Sequence, residues 1–346
     1  MSERPESVTE TQGKQPLRGV VIGLGHQGME HAESIFDYPE TVIVGVADPV
    51  TETHETFRRR FPDHPALVRK DVQTLLDDLD TVPDFGIVAV PHDNYLETIE
   101  LFCRLGVPVL KEKPLARNLG EVDELLGISD VEKFCFTALQ RKYSLLDREM
   151  PNLLASVLSP TYFEYIYTLG HSHRATGWRD DKLQAGGGSL LDMGYHIVSR
   201  VIDWFGPPDS VQTVLGSNVK DMSASDTEVQ AFLFLQYYEV GLRGLVTLSP
   251  VSNQKEESFQ IFIPDGRRII GQANQAELHG ADGNLQVTIG TSRESLTALQ
   301  LADFVRHVRT RSGFADNLEY HQAIMRVIDM CYQSQPKARS VLETRT

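Results

Sequence analysis

From residue 18 onward the chain alternates between two hydrophobic patterns. Short runs rich in Val and Ile at 18–23, 41–47, 67–69, 85–90, 107–111 and 133–137 read as strands. Between them, 27–37, 51–60, 71–79, 93–105 and 119–127 read as amphipathic helices. Strands separated by helices of this length predict βαβ units and a doubly wound parallel sheet, an α/β class. Around residue 140 the rhythm changes. Residues 229–238 (VQAFLFLQYY), 242–249 and 258–264 read as long strands, and Pro264-Asp265-Gly266 is a turn into another at 267–271. This half predicts an α+β unit with a mainly antiparallel sheet. Apolar residues on both faces of 231–235 predict that the sheet is covered on both sides, by helices or by a second subunit. One helix at 187–205 is stopped by Gly206-Pro207-Pro208. A last helix near 318–333 carries Ile324, Val327, Ile328 and Cys331 at core spacing. The chain thus divides into a polar tail at 1–16, read as disordered, a first unit at 17–138 and a second at 139–346.

Composition narrows the function classes. A length of 346 residues suits two domains, and 41% hydrophobic residues are enough for real cores. The net charge of −15 argues against nucleic acid or an anionic membrane surface as partner. Cys103, Cys135 and Cys331 lie far apart, which leaves no disulfide framework and no zinc spacing and fits a reducing compartment. No apolar run approaches the roughly 18 residues of a spanning helix, and the polar first residues lack the apolar core of a signal peptide. A cytoplasmic location is expected.

The glycines of Gly23-Leu24-Gly25-His26-Gln27-Gly28 follow a strand and open a helix in G-x-G-x-x-G spacing. Gly23 would make the tight turn, Gly25 would admit a pyrophosphate, and Gly28 would let helix and strand pack closely. The helix N-terminus would supply N–H donors to the phosphates. Asp48 ends the next strand at the distance this fingerprint expects, placed to accept ribose hydroxyls and repel a 2′-phosphate. Pro49 beside it offers no cation, so NAD is favoured, with NADP as the alternative. Arg58, Arg59 and Arg60 lie too far along the following helix.

Two more strands end in unusual polar sequences, Val90-Pro91-His92-Asp93-Asn94 and Lys111-Glu112-Lys113-Pro114. In an open parallel sheet, ligands sit beyond the carboxyl ends of strands. With GGGSLLDMGYH at 186–196, these motifs make the chain resemble the glucose–fructose oxidoreductase, inositol 2-dehydrogenase and MocA-type (Gfo/Idh/MocA) family over nearly everything after residue 17. The resemblance implies a Rossmann domain followed by an open-faced α+β domain, with the nicotinamide between them. It also implies chemistry at a carbinol carbon of a sugar, cyclitol or related polyol.

Carried over on the matching motifs, Lys113 is implied as the lysine near the reacting hydroxyl and Glu112 as the residue that positions it. Asp192 and His196 complete the catalytic set. Val90, Pro91, His92, Asn94, Gln140 and Arg141 are implied on the cofactor side, and Tyr143, His171, His173, Trp178 and Arg179 on the substrate side. The residues themselves agree in part. Asp192 and His196, four apart on a helix, share a face. The glycines before them would allow close approach of backbone to ligand. An imidazole can take and return a hydroxyl proton, and a desolvated lysine can polarise the oxygen. Ser199 stands where the family often has a second Asp, and Lys111 reads as a surface charge. His171 and His173 alternate as a metal pair would, but no third ligand is evident and no metal is expected.

The expected function is an NAD(P)-dependent oxidoreductase acting on a CH–OH group. Two alternatives are a redox-neutral NAD-dependent glycosidase or epimerase of the same fold, and a non-catalytic cofactor-sensing regulator. The expected partner is a small polyol or carbonyl compound. A homodimer or homotetramer through the second sheet is also expected. Lys113, Arg141, Lys142, His171, His173, Arg174 and Arg179 predict a locally basic cleft inside an acidic protein.

Overall fold

The computed structural model describes residues 15–170, 177–216, 227–252, 254–290 and 294–335. The first unit runs β1 (Leu17–Ile22), α1 (His26–Asp37), β2 (Thr41–Ala47), α2 (Thr51–Arg60), β3 (Leu67–Arg69), α3 (Val72–Asp77), β4 (Phe85–Val88), α4 (Leu96–Arg104), β5 (Val109–Lys111), α5 (Leu119–Leu126), α6 (Val131–Phe134) and β6 (Cys135–Thr137). Its sheet has the order β3-β2-β1-β4-β5-β6, parallel throughout. Strand order reverses between β1 and β4, so their carboxyl ends open the crevice where such sheets bind ligands. All four residues of β4 are buried, as a strand covered on both faces requires.

The second unit runs α7 (Leu145–Ala155), β7 (Tyr162–Gly170), α8 (Lys182–Ala185), α9 (Ser189–Asp192), α10 (Gly194–Phe205), β8 (Ser210–Gly216), β9 (Gln230–Tyr237), β10 (Leu242–Ser252), β11 (Glu256–Phe262), β12 (Arg268–Gln272), β13 (Gln275–His279), β14 (Leu285–Gly290), α11 (Leu296–Thr310) and α12 (Phe314–Gln333). Its eight strands are ordered β14-β13-β12-β11-β7-β10-β9-β8, and only the β7–β10 pairing is parallel. The fold is α/β with a mainly antiparallel second sheet.

Along β9, Ala231, Leu233, Leu235 and Tyr237 are buried, while Phe232 and Phe234 point to the other face, where Phe234 is 49% exposed. Within a single chain only one face of this stretch is covered, so of the two expected covers helices of this chain do not supply the second, which leaves that face to a second subunit. Val214 and Ile166 are exposed too.

Two further departures have physical reasons. The helix expected at 187–205 is interrupted at Met193, where His196 N donates to the Met193 carbonyl only three residues back, at 3.3 Å. Helix α11 leaves the second sheet and lays Leu301, Phe304, Val305 and Val308 against Val21, Ile35, Ile43 and Phe85 of the first unit. One face of the parallel sheet is thus completed by residues more than 200 positions away. No helix among the described residues is long and apolar enough to cross a membrane.

Candidate active site

The turn after β1 needs its glycines for different reasons. Gly23 has φ +89°, and a Cβ there would lie 2.3 Å from the Ala89 carbonyl oxygen. A Cβ on Gly28 would lie 1.9 Å from the Gly23 carbonyl oxygen, so this glycine serves helix packing. A Cβ on Gly25 would meet nothing within 4 Å. Gly25 occupies the position just ahead of α1, and no side chain bonds the helix's first amides. The result is an uncapped helix N-terminus facing open space, the arrangement that receives an anion.

Asp48, at the end of β2, accepts hydrogen bonds from Leu24 N (2.6 Å) and Val50 N (2.8 Å), fixing the glycine turn to the strand end. His54 Nε2 donates to the Asp48 carbonyl at 2.6 Å. Leu24 is buried in the core and, like Gly28, supports the turn from behind.

Beyond β5 the chain turns through Glu112, Lys113 and Pro114. His31 of α1, itself buried, donates from Nε2 to Glu112 Oε1 at 2.7 Å. Burial pushes the Glu112 carboxyl up, but His31, Lys113 and Lys111 outweigh it and hold the group below its ordinary value. Lys113 Nζ donates to Asp192 Oδ1 (2.5 Å) and to the Asp192 carbonyl (3.1 Å). An ammonium has three hydrogens, so one is left for a ligand. Lys111 is not a surface charge: it is 4% exposed, because its side chain turns inward beneath the same turn.

The glycine run ahead of Asp192 is filled by protein and gives no close approach to a ligand. A Cβ on Gly187 would lie 2.1 Å from Tyr332 Oη, and one on Gly188 would lie 2.0 Å from the Glu228 carbonyl oxygen. Glu228 Oε1 accepts from Gly188 N (2.9 Å), Leu190 N (3.0 Å) and Tyr332 Oη (2.9 Å), which fixes the start of α9. Asp192 and His196 fall on opposite sides of the break at Met193, yet both reach the same cleft. The Lys113 charge holds the Asp192 carboxyl well below the usual carboxylate range despite the opposing effect of burial. Burial first, then Lys113 and Arg141, lower His196 well below the usual histidine value, so its imidazole is neutral at physiological pH. Its Nδ1 is buried without a hydrogen-bond partner.

These elements close a cleft of about 450 Å³. Gly23, Gly25, His26, Gln27, Asp48 and Pro49 line one end, and Lys113, Asp192 and His196 line the other; Val90, Pro91, His92, Glu112 and Gln140 also line it. Trp178 and Arg179 line it too: the Arg179 guanidinium stacks 4.4 Å from the Trp178 ring, and the His92 ring meets the same indole at 4.5 Å. His92 donates from Nδ1 to the Ala185 carbonyl, and burial lowers its pKa to about 3. Val50, Thr53 and Ala89 line the cleft as well and were not anticipated. Their only sequence signal is position: Ala89 directly follows β4, Val50 lies in the turn after β2, and Thr53 is in the first turn of α2.

Some expected residues lie elsewhere. Arg141 is turned to Glu257 (2.7 Å) and Tyr167 (2.9 Å). Tyr143 donates to Asp303 at 2.8 Å in a separate cavity of about 200 Å³, where Lys142 stacks on Tyr320. Asn94 is exposed, outside the cleft lining. His171, His173 and Arg174 lie outside the described residues. Among described residues the cleft therefore holds Lys113 and Arg179 against Asp48, Glu112 and Asp192, and is not basic.

The buried histidines give a pH prediction. His92 and His321 have values near 3 through burial, and His196 is also lowered. Depressed folded-state values mean that the unfolded chain binds these protons first as pH falls. Stability is therefore expected to hold above about pH 6.5 and to fall steadily toward pH 3, read as the urea midpoint against pH. A midpoint flat from pH 6.5 to 4 would contradict the neutral, buried assignment.

Comparison with known proteins places this geometry. Residues 17–137 match the model described as "Oxidoreductase family, NAD-binding Rossmann fold", and residues 160–286 match the "GFO/IDH/MocA C-terminal domain". The UDP-kanosamine synthase oxidoreductase subunit assigned in Amycolatopsis mediterranei is 26% identical over 57% of this chain and 54% of its own length. The chain thus spans about half the length of that relative. The myo-inositol 2-dehydrogenase of Thermotoga maritima is 24% identical over 78% of this chain and 74% of its own. A 3-ketoreductase from Actinomadura kijaniata, solved with TDP-benzene and NADP, superposes with a TM-score of 0.78 at 18% identity, covering 93% of this chain and 98% of the other.

Proposed function

Because this chain belongs to the GFO/IDH/MocA oxidoreductase family and carries its NAD-binding Rossmann domain, we propose that it is an NAD-dependent dehydrogenase or ketoreductase of a polyol, sugar or cyclitol. The observation that carries this reading is the convergence of Lys113, Asp192 and a neutral His196 at one end of a cleft whose other end is the glycine turn. The cleft suits a dinucleotide: open space at Gly25, the uncapped start of α1, and a buried, unpartnered Gln140 Oε1. Gly23, Gly25 and the first amides of α1 would hold the pyrophosphate, and Asp48 the adenosine ribose. When bound, the nicotinamide supplies the acceptor for the hydride that leaves the carbinol carbon.

The chain's own residues handle the proton. Lys113, anchored by Asp192, offers its remaining N–H to the hydroxyl oxygen. His196, neutral at the outset, takes the hydroxyl proton as the C–H bond breaks. The imidazolium that forms is favoured by the nearby Asp192 carboxylate. In reduction the same proton returns to the carbonyl oxygen. Trp178 and Arg179 would cover the reacting end and limit water.

The deciding experiment is a panel of sugars, cyclitols and diols with NAD and NADP, read as NADH absorbance. Turnover is expected, with NAD preferred because Asp48 would accept from the ribose hydroxyls and repel a 2′-phosphate. Product without net NADH would transfer the protein to redox-neutral chemistry. Tight NADH binding with no turnover across the panel would leave a sensor. A homo-oligomer through the face bearing Val214 and Phe234 belongs to the same proposal. A sedimentation mass of one chain would remove that part.

A further inference from the structure

Lys111 is buried, and none of its contacts among the described residues is an ion pair with a carboxylate. Its Nζ donates to the carbonyl of Glu112 (2.9 Å) and of Pro114 (2.5 Å) and lies 4.0 Å over the Tyr95 ring. Those two carbonyls bracket Lys113. The β5 ladder ends at Lys111, so neither is satisfied by a strand. A buried ammonium without a counter-ion costs more than an apolar residue of similar length. What it supplies here is a single atom able to bond two carbonyls on either side of the reacting lysine. Tyr195 closes the turn from the far side by accepting from Leu115 N at 3.2 Å.

We propose that Lys111 is a positioning residue whose ammonium clamps the 112–114 turn from within and so sets where the Lys113 ammonium stands relative to Asp192 and His196. This rests on the reading of Lys113 given above.

The titratable groups around Lys111 are Tyr95 ahead of α4, Cys135 on β6, Glu121 on α5, His321 on α12, His92, and Glu112 and Lys113 in its own turn. Burial lowers Lys111 to about 8, with the Glu112 and Glu121 carboxylates drawing it partly back. The Cys135 thiol is itself pushed up to about 12 by burial and stays neutral. Glu121 is engaged by Arg117. As pH rises through about 8 the clamp loses its charge, and with it the charge-assisted bonds and the hold on the Tyr95 ring. For stability the sign is opposite. The unfolded lysine titrates near 10.5, so the burial penalty is full below about 8 and is relieved as pH rises.

The test compares the wild type with Lys111→Met and Lys111→Arg in thermal melts without cofactor, NADH affinity, steady-state kinetics against pH, and a crystal structure of Lys111→Met. For Lys111→Met, kcat is expected to fall about tenfold or more, with KM and NADH affinity within about threefold. Its alkaline limb near pH 8 should vanish. The wild-type Tm should gain on the variant's between about pH 8 and 10.5. Lys111→Arg, which keeps its charge, should recover part of kcat and lack that limb. A lysine that only supports the fold would lower Tm and leave kcat per folded chain unchanged. Folded Lys111→Met with kcat within about threefold of wild type overturns the proposal. If that variant does not fold, Lys111→Arg decides: an alkaline limb retained near pH 8 overturns it, and its loss supports it. If the wild type turns over no polyol, the oxidoreductase reading fails on its own. The variant crystal would still decide: a Lys113–Asp192 pair unchanged at 2.5 Å overturns the clamp, and a displaced pair supports it.

Discussion

His196→Ala is expected to lower kcat by a factor of roughly 10²–10⁴ while leaving NADH affinity and Tm nearly unchanged. The loss follows from its place beside the Lys113–Asp192 pair and from its neutral state, which together make it the group able to accept the hydroxyl proton. Structural cost should be small, because Nδ1 has no hydrogen-bond partner to orphan. Lys113→Ala should lose a comparable amount. It would also free the Asp192 carboxyl from the charge that holds it down. Because both His196 and Asp192 titrate well below their usual ranges, the free-enzyme profile should show no acid limb near pH 6.5. Steady-state kinetics against pH with NADH titration by fluorescence check all of this. Turnover by His196→Ala at the wild-type rate would remove the proton-transfer assignment.

The largest stability effect is expected from Arg200→Met. Arg200 is 2% exposed and forms a fork with Asp147 at 2.6 and 2.7 Å. Its Nη1 also reaches Glu257 (2.8 Å) and Tyr165 Oη (2.5 Å), and Arg141 bonds the same Glu257 oxygen at 2.7 Å. Two guanidinium groups therefore share two buried carboxylates. Removing Arg200 leaves Asp147 with Ser144 alone among these partners, a buried charge largely uncompensated. The cost should be about 3–5 kcal/mol. Urea denaturation measures it. A double variant, Arg200→Met with Asp147→Leu, should recover part of the loss, since the orphaned charge has gone. A loss below about 1 kcal/mol would place the network among solvent-screened surface pairs. Arg200 also contributes to holding His196 neutral, so any residual activity should show its acid limb shifted upward.

The parallel half was the more legible. Strands buried on both faces leave unbroken Val and Ile runs, and β2, α2 and β3 fall at 41–47, 51–60 and 67–69 as read. The glycine turn was legible because its three glycines act within a dozen residues of one another and Asp48 reaches straight back to Leu24. The second half was less so. Strands β7 and β8 alternate with one open face, a weaker signal than a continuous apolar run. Placement of single charges was least legible. Arg141 and Tyr143 stand next to Gln140, yet Glu257 and Asp303, more than 100 residues later, draw them out of the cleft.

The sequence alone determined the glycine turn of a dinucleotide-binding domain and the motifs that carry Lys113, Asp192 and His196, because each is a local pattern with a local physical reason. It also determined the acidic net charge. The tertiary structure decided which charges remain in the cleft and which are cancelled at a distance. It showed that the run Gly186–Gly188 yields to Arg117, Tyr332 and Glu228. It turned Lys111 from an assumed surface charge into a buried one, because its partners are carbonyl groups, which every residue carries and no sequence pattern marks.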